Sequence, residues 1–209
     1  MKELYAQIDK SIIPNLPQFQ FSGKIVVVQS AYEAERAVCS LRSAEIVGID
    51  TETRPAFRKG VSHKVALLQV STRHVCFLFR LNHIGMPKCV QELLMSPSIM
   101  KVGLSLNDDF RQLSQRVENL SPMSYVELQD YVLEMGIKDK SLQKLFANVF
   151  HRRISKSQQL SNWEADVLVE KQKLYAATDA YACLVLYEEL ERLRKSGDYR
   201  IIENEDITS

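Results

Sequence analysis

Two apolar runs, Val65-Ala66-Leu67-Leu68-Gln69-Val70 and His74-Val75-Cys76-Phe77-Leu78-Phe79, are separated only by Ser71-Thr72-Arg73. Short apolar runs with a three-residue link have hairpin spacing. Further strands are expected at Lys24–Gln29, Ile46–Asp50, Met100–Gly103 and Ser124–Leu128. Helices interleave with them. Ser30 caps one from Ala31 to Arg42, with Ala34, Ala37, Val38 and Leu41 on one face. Others are expected at Pro87–Leu94, Asp108–Val117 and Asp130–Met135, the last stopping at Gly136. From there the pattern is helical: Ser141–Val149, a turn near Ser161–Glu164, and a long helix over Leu168–Lys195. Strands concentrated in the first two-thirds, with helices first interleaved and then dominant, predict one α/β domain built on a mixed sheet.

Residues 1–23 are polar and interrupted by Pro14 and Pro17, and are expected to lie as an arm on the domain surface. The domain proper is then 24–195, and 196–209 is expected to be a frayed acidic tail. With 209 residues, 45% of them hydrophobic, the chain can bury one sizeable core. A net charge of +1 excludes a globally basic nucleic-acid coat, so any such binding must come from a local patch. The four cysteines, Cys39, Cys76, Cys89 and Cys183, form no C-x-x-C pair, which argues against a structural zinc site or a disulfide framework. No segment approaches the roughly 20 apolar residues of a membrane span, and no signal peptide is visible. A soluble cytoplasmic protein is expected.

The chemistry-bearing residues begin at Val47-Gly48-Ile49-Asp50-Thr51-Glu52. In an extended chain, residues i and i+2 point to one side, so Asp50 and Glu52 converge at the end of a strand. Two adjacent carboxylates raise each other's cost of ionising unless a cation neutralises them, and hard oxygen ligands suit Mg²⁺ or Mn²⁺. Taken alone, Asp-x-Glu is more often an exposed turn. Asp108 and Asp109 follow the Val102-Gly103 strand at a helix N-terminus, where a lone aspartate is ordinarily a cap. Tyr175 and Asp179 stand four apart on the long helix and share a face, among Ala176, Ala177, Ala180 and Ala182. Small side chains there let another element approach closely.

In this order, Asp50-x-Glu52, Gly103 with Asp109, and Tyr175-x-x-x-Asp179 resemble the DEDDy branch of the DnaQ-like 3′–5′ exonucleases. Within that branch the chain is similar to the Werner-type exonuclease domain, with RNase D as an RNA-acting relative. Val65–Gln69, Phe57–Gly60, Ser141-Leu142-x-x-Leu145, Gln158–Trp163 and Gln172–Ala182 support the resemblance, which covers about Val26 to Lys195. The family's second aspartate lies six residues beyond the glycine, which selects Asp109 over Asp108. The family often carries another glycine in that loop, where this chain has Ser105-Leu106-Asn107-Asp108.

The resemblance implies an RNase H-like three-layer α/β fold, with a central mixed sheet of five to six strands flanked by helices. It also implies hydrolysis of the terminal 3′ phosphodiester to nucleoside monophosphates. Two divalent cations about 3.5–4 Å apart can serve both ends of an in-line displacement. Asp50 would bridge them, Glu52 and Asp179 would complete the first site, and Asp109 would hold the second. Tyr175 would orient the attacking water. Retention of all five residues argues against an inactive nucleic-acid-binding module. DNA is favoured over RNA, with RNase D-like RNA trimming as the alternative. Six basic residues between Lys138 and Ser157 (Lys138, Lys140, Lys144, Arg152, Arg153, Lys156) face one acid, Asp139. They either track a phosphate backbone or form a solvated surface. A second cluster, Arg54, Arg58, Lys59, His63 and Lys64, adjoins the first motif and is better placed to meet a strand. Trp163 is expected to pack rather than to stack on a base.

Overall fold

The computed structural model describes residues 1–203. In chain order its elements are β1 (Lys2–Tyr5), β2 (Lys24–Val28), α1 (Ala31–Leu41), β3 (Ile46–Glu52), β4 (Leu67–Ser71), β5 (Val75–Arg80), α2 (Leu81–Ile84) and α3 (Lys88–Met95). There follow β6 (Met100–Gly103), α4 (Leu106–Leu113), β7 (Tyr125–Glu127), α5 (Leu128–Glu134), α6 (Leu142–Phe150), α7 (Glu170–Ser196) and β8 (Tyr199–Ile202). Six strands form one sheet in the order β2-β5-β4-β3-β6-β7. The expected hairpin is present: β4 and β5 pair antiparallel, with Ser71 opposite Cys76. β3 pairs antiparallel with β4 and parallel with β6, so the sheet is mixed and β3 lies in its interior.

Alternation along β3 divides its side chains between two layers. Val47 and Ile49 enter a core with Ala34, Ala37, Val38 and Leu41 of α1, Val90, Leu93 and Leu94 of α3, and Phe110 and Leu113 of α4. The capping box between Ser30 and Glu33 starts α1 where the sequence places it. On the other face, Ala176, Ala177 and Ala180 of α7 pack with Leu67, Leu78 and the fully buried Trp163. Gly48 is what lets this helix approach β3, because a Cβ there would meet Leu184 at 3.0 Å and collide with the Ala180 carbonyl oxygen.

The two chain ends differ from the sequence expectation. The N-terminal segment is more than a surface arm, and the tail does not begin at Ser196. β1 and β8 form a two-stranded parallel sheet with Leu4 opposite Ile201. Leu4 is buried against α5, α6 and α7, and Ile8 and Ile13 are buried beside Ala147. Asp139 anchors the segment by accepting from the Ile8 amide at 2.8 Å. Strands of four residues paired across the whole chain carry no local periodicity, so pattern reading sees them as irregular. Positions 204–209 of the expected acidic tail lie outside the described residues. No helix among the described residues is long and apolar enough to cross a membrane.

Candidate active site

Asp50 and Glu52 lie at the C-terminal end of β3 on the face that meets α7, and Asp179 comes down to them from that helix. Carboxylate oxygens of the three lie within 4.8 Å of one another, with Asp50 partly exposed and Glu52 and Asp179 buried. Asp109 arrives from the first turn of α4. It is not one of that close group. Its Oδ1 instead accepts a 2.7 Å hydrogen bond from the hydroxyl of Thr51, the residue between the two β3 carboxylates. Asp108 is exposed and pairs with Arg111 at 2.8 Å, so the two adjacent aspartates part in opposite directions.

The turn that delivers Asp109 has a local signature. Ser105, at the N-terminus of α4, adopts φ 65°, a left-handed conformation uncommon for a residue with a Cβ. This is the stretch where the family resemblance leads to the expectation of a glycine. The Glu127 carboxylate accepts from the Ser105 backbone amide at 2.8 Å, and the Gln129 side-chain amide donates to the Ser105 hydroxyl at 3.1 Å. These bonds hold the serine where glycine would sit without strain.

Desolvation dominates the electrostatics. It pushes Asp50 well above the ordinary carboxylate range, helped by the charges of Asp109, Glu52 and Asp179. Glu52 is pushed to about 9 by burial and by Asp179 and Asp109. Asp109 rises to about 7 through burial, opposed by the Thr51 hydroxyl. Asp179 rises to about 7 through burial, opposed by the Tyr175 phenol and by Lys156. Oδ2 of Asp109 and Oδ1 of Asp179 are buried with no hydrogen-bond partner. Unpaired buried acceptors are costly. A cluster of hard anionic oxygens with two orphaned acceptors fits a divalent cation of the Mg²⁺ or Mn²⁺ type.

Tyr175 stands one turn before Asp179, and its ring centroid lies 5.9 Å from that of Trp163. Burial, then the charges of Asp179, Glu52 and Asp50, raise its phenol above the ordinary tyrosine value. It is therefore an O–H donor at any ordinary pH. Asp50, Glu52, Asp179 and Tyr175 share a cleft of about 320 Å³ with Leu104, Lys140, Lys156 and Gln159.

The basic candidates separate in space. Arg58, Lys59 and Lys64 are exposed in the segment after β3, as is Arg152 beyond α6. Arg54 pairs with Glu164 at 3.3 Å, and the same carboxylate takes His63 at 3.0 Å. Arg153 is committed to the N-terminal segment: its Nε donates to the Leu16 carbonyl at 3.1 Å, and its backbone bridges to Gln18. Lys144 pairs with Asp139 at 2.7 Å, and Lys138 with Glu203 at 3.1 Å. Of the run between Lys138 and Ser157, Lys140 and Lys156 reach the cleft. The sequence names those two only as members of the basic run, and gives no role to Thr51. Charge counting gave the run but not its partition, and a threonine between two acids carries no signal without knowledge of Asp109's approach.

Residues 25–194 match a family model described as 3′–5′ exonuclease. The chain belongs to the 3′–5′ exonuclease family. The chain is 33% identical over 204 aligned residues to the mouse (Mus musculus) bifunctional 3′–5′ exonuclease/ATP-dependent helicase WRN, covering 90% of this chain and 14% of that protein. It is 30% identical over 200 residues to a 3′–5′ exonuclease of Arabidopsis thaliana, covering 86% and 67%. Among solved structures, the exonuclease domain superposes on the Nibbler EXO domain of Aedes aegypti with a TM-score of 0.77 at 16% identity, covering 87% and 94%. It superposes on Escherichia coli RNase D, an exoribonuclease involved in structured RNA processing, with a TM-score of 0.72 at 18% identity, covering 84% and 46%. The six-stranded mixed sheet with flanking helices is thus the RNase H-like fold, and the exonuclease domain is a hydrolase of the 3′–5′ type.

Proposed function

We propose that this exonuclease domain shortens nucleic acid from its 3′ end, releasing nucleoside monophosphates. DNA is the preferred substrate in this reading, and Asp50, Glu52, Asp109 and Asp179 hold two divalent cations, Mg²⁺ or Mn²⁺. The observation that carries it is the meeting of Asp50, Glu52 and Asp179 within 4.8 Å, with orphaned oxygens on Asp109 and Asp179 beside them. Bound cations would lower the pKa of a water and offset charge on the leaving oxygen.

The chain's own groups do the rest. Thr51 fixes the carboxylate of Asp109, so that only its free oxygen is available. Tyr175, whose phenol burial pushes above the ordinary tyrosine value, donates its O–H to orient the attacking water. Lys140 and Lys156 on the cleft wall meet the phosphates next to the scissile bond. The preference for DNA rests on the resemblance of the sequence to the Werner-type exonuclease domain; the mouse relative, 33% identical, joins its exonuclease to an ATP-dependent helicase.

The test is a pair of 5′-labelled oligonucleotides, one DNA and one RNA, incubated with Mg²⁺ or Mn²⁺ and with wild type or Asp50→Asn. A ladder shortening from the 3′ end, lost in Asp50→Asn, is expected on DNA first. No ladder on either strand, or an equal ladder from the variant, sinks the catalytic assignment. Faster shortening of RNA overturns the DNA preference and leaves an RNase D-like trimming enzyme.

A further inference from the structure

Gln69 lies on β4 directly opposite Asp50 in the antiparallel register with β3. Opposed residues share a face of the sheet, with Cβ atoms about 4.5–5.5 Å apart. The shared face here is the one covered by α7, where Leu67, two residues before Gln69, packs with Ala176, Ala177 and Ala180. Gln69 is 0% exposed, and neither its Nε2 nor its Oε1 has a hydrogen-bond partner. Exchanging the two ends of the amide leaves both unpaired, so an inverted assignment does not account for it. An apolar side chain of the same size would fill this position without that cost.

The neighbour that can use such a group is Asp50. Burial and three neighbouring carboxylates disfavour its charge, with the Thr51 backbone amide acting the other way. Carboxylates that ligate metals are themselves held by hydrogen bonds from outside the ligand set, and a primary amide supplies two N–H donors.

We propose that Gln69 is the positioning residue of Asp50: its side-chain amide, unpaired in this structure, turns to donate to the carboxylate when a divalent cation binds and holds it in the orientation that ligates the ion. The inference rests on the cation-binding reading of Asp50, Glu52 and Asp179 given above. Gln69 touches neither substrate nor cation. It acts through Asp50 alone.

The test uses the full chain, with Mn²⁺ alone as probe and thermal unfolding as readout. In Gln69→Met, which keeps the length and removes the amide, the Mn²⁺ concentration giving half of the maximal stabilisation should rise roughly tenfold or more. The metal-free melting temperature should be unchanged or higher, because an unpaired polar group has gone. A wild-type Mn²⁺ response in Gln69→Met overturns the inference, as does a loss of metal-free stability with that response intact. Asp50→Asn separates the two readings. If Asp50→Asn keeps the wild-type response, the cation reading itself fails; if it loses the response while Gln69→Met keeps it, only the role of Gln69 fails. Should Gln69→Met not fold, the wild-type side-chain amide protons decide by NMR. A shift and slower solvent exchange of the Gln69 pair on adding Mg²⁺ support the role, and no change overturns it.

Discussion

Gly48 of β3 lies directly beneath Ala180 of α7, so closely that a methyl group on Gly48 would overlap the Ala180 carbonyl oxygen. Two residues further along β3 is Asp50, and one residue back along α7 is Asp179. The contact between the small residues thus sets the distance between the carboxylates. Gly48→Ala should force helix and strand apart. Overpacking a fitted site costs about 1–3 kcal/mol, and here the obstacle is backbone, which cannot rotate away. The expected result is a melting temperature lower by several degrees, at about 2–4 °C per kcal/mol for a chain of this size. Exonuclease activity should fall by more than the loss of folded protein explains. Activity per folded molecule equal to wild type would show that the spacing is set elsewhere.

The carboxylate cluster predicts a trade between stability and activity. In the metal-free protein, Asp50, Glu52 and Asp179 repel one another in a desolvated site. Asp50→Asn and Asp179→Asn should each raise the metal-free melting temperature at about pH 8, by roughly 2–5 °C for about 1 kcal/mol or more. The same variants should lose the stabilisation by Mn²⁺ and nearly all turnover. Parallel melting curves with and without Mn²⁺ check both halves, and a destabilised variant that keeps its Mn²⁺ response contradicts them.

The pH dependence has a defined sign. The folded state holds protons on Asp109 and Asp179 up to about 7 and on Glu52 up to about 9, whereas the unfolded chain releases them near its ordinary carboxylate values. Where the folded state binds more protons than the unfolded state, stability falls as pH rises. Stability present below about pH 4 is therefore lost progressively as pH climbs through these folded values, toward about 9. Metal-free melting temperatures should decline over that window. Saturating Mg²⁺ or Mn²⁺ should flatten or reverse the slope, because the cation takes the place of the protons. An unchanged slope with metal would remove the cluster from cation binding.

Much of this site was legible before the structure. Alternation on β3 put Asp50 and Glu52 on one side, and the four-residue spacing of Tyr175 and Asp179 put both on one helix face. Between Asp108 and Asp109 the residues alone did not decide; the family resemblance pointed to Asp109, and Asp109 is the member of the pair that turns to β3, while Asp108 faces solvent. What escaped was non-local. The pairing of β1 with β8 joins residues nearly two hundred positions apart. The bond from Thr51 to Asp109 depends on how α4 meets the end of β3. The basic run between Lys138 and Ser157 reads as one charge patch, yet Lys144, Lys138 and Arg153 are turned to internal partners and Lys140 and Lys156 to the cleft.

Those two lysines supply the last prediction. Lys140 and Lys156 approach the carboxylates from the wall of the same cleft, and Lys156 acts through space on Asp179. Anchored to neither sheet nor core, they can be truncated without disturbing the fold. The double variant Lys140→Ala, Lys156→Ala should keep its melting temperature and raise KM for a single-stranded oligonucleotide about tenfold or more near physiological salt, while its dependence on log salt weakens. Each phosphate contact removed takes about 0.7 from the slope on a single strand, so the pair should flatten it by about 1.4. Truncating Lys144 and Lys138, which are occupied by Asp139 and Glu203, should leave the slope unchanged. Equal slopes for wild type and the Lys140, Lys156 double variant, measured by initial rates over a salt series, would move the phosphate grip away from the cleft wall and onto the exposed Arg58, Lys59 and Lys64 segment.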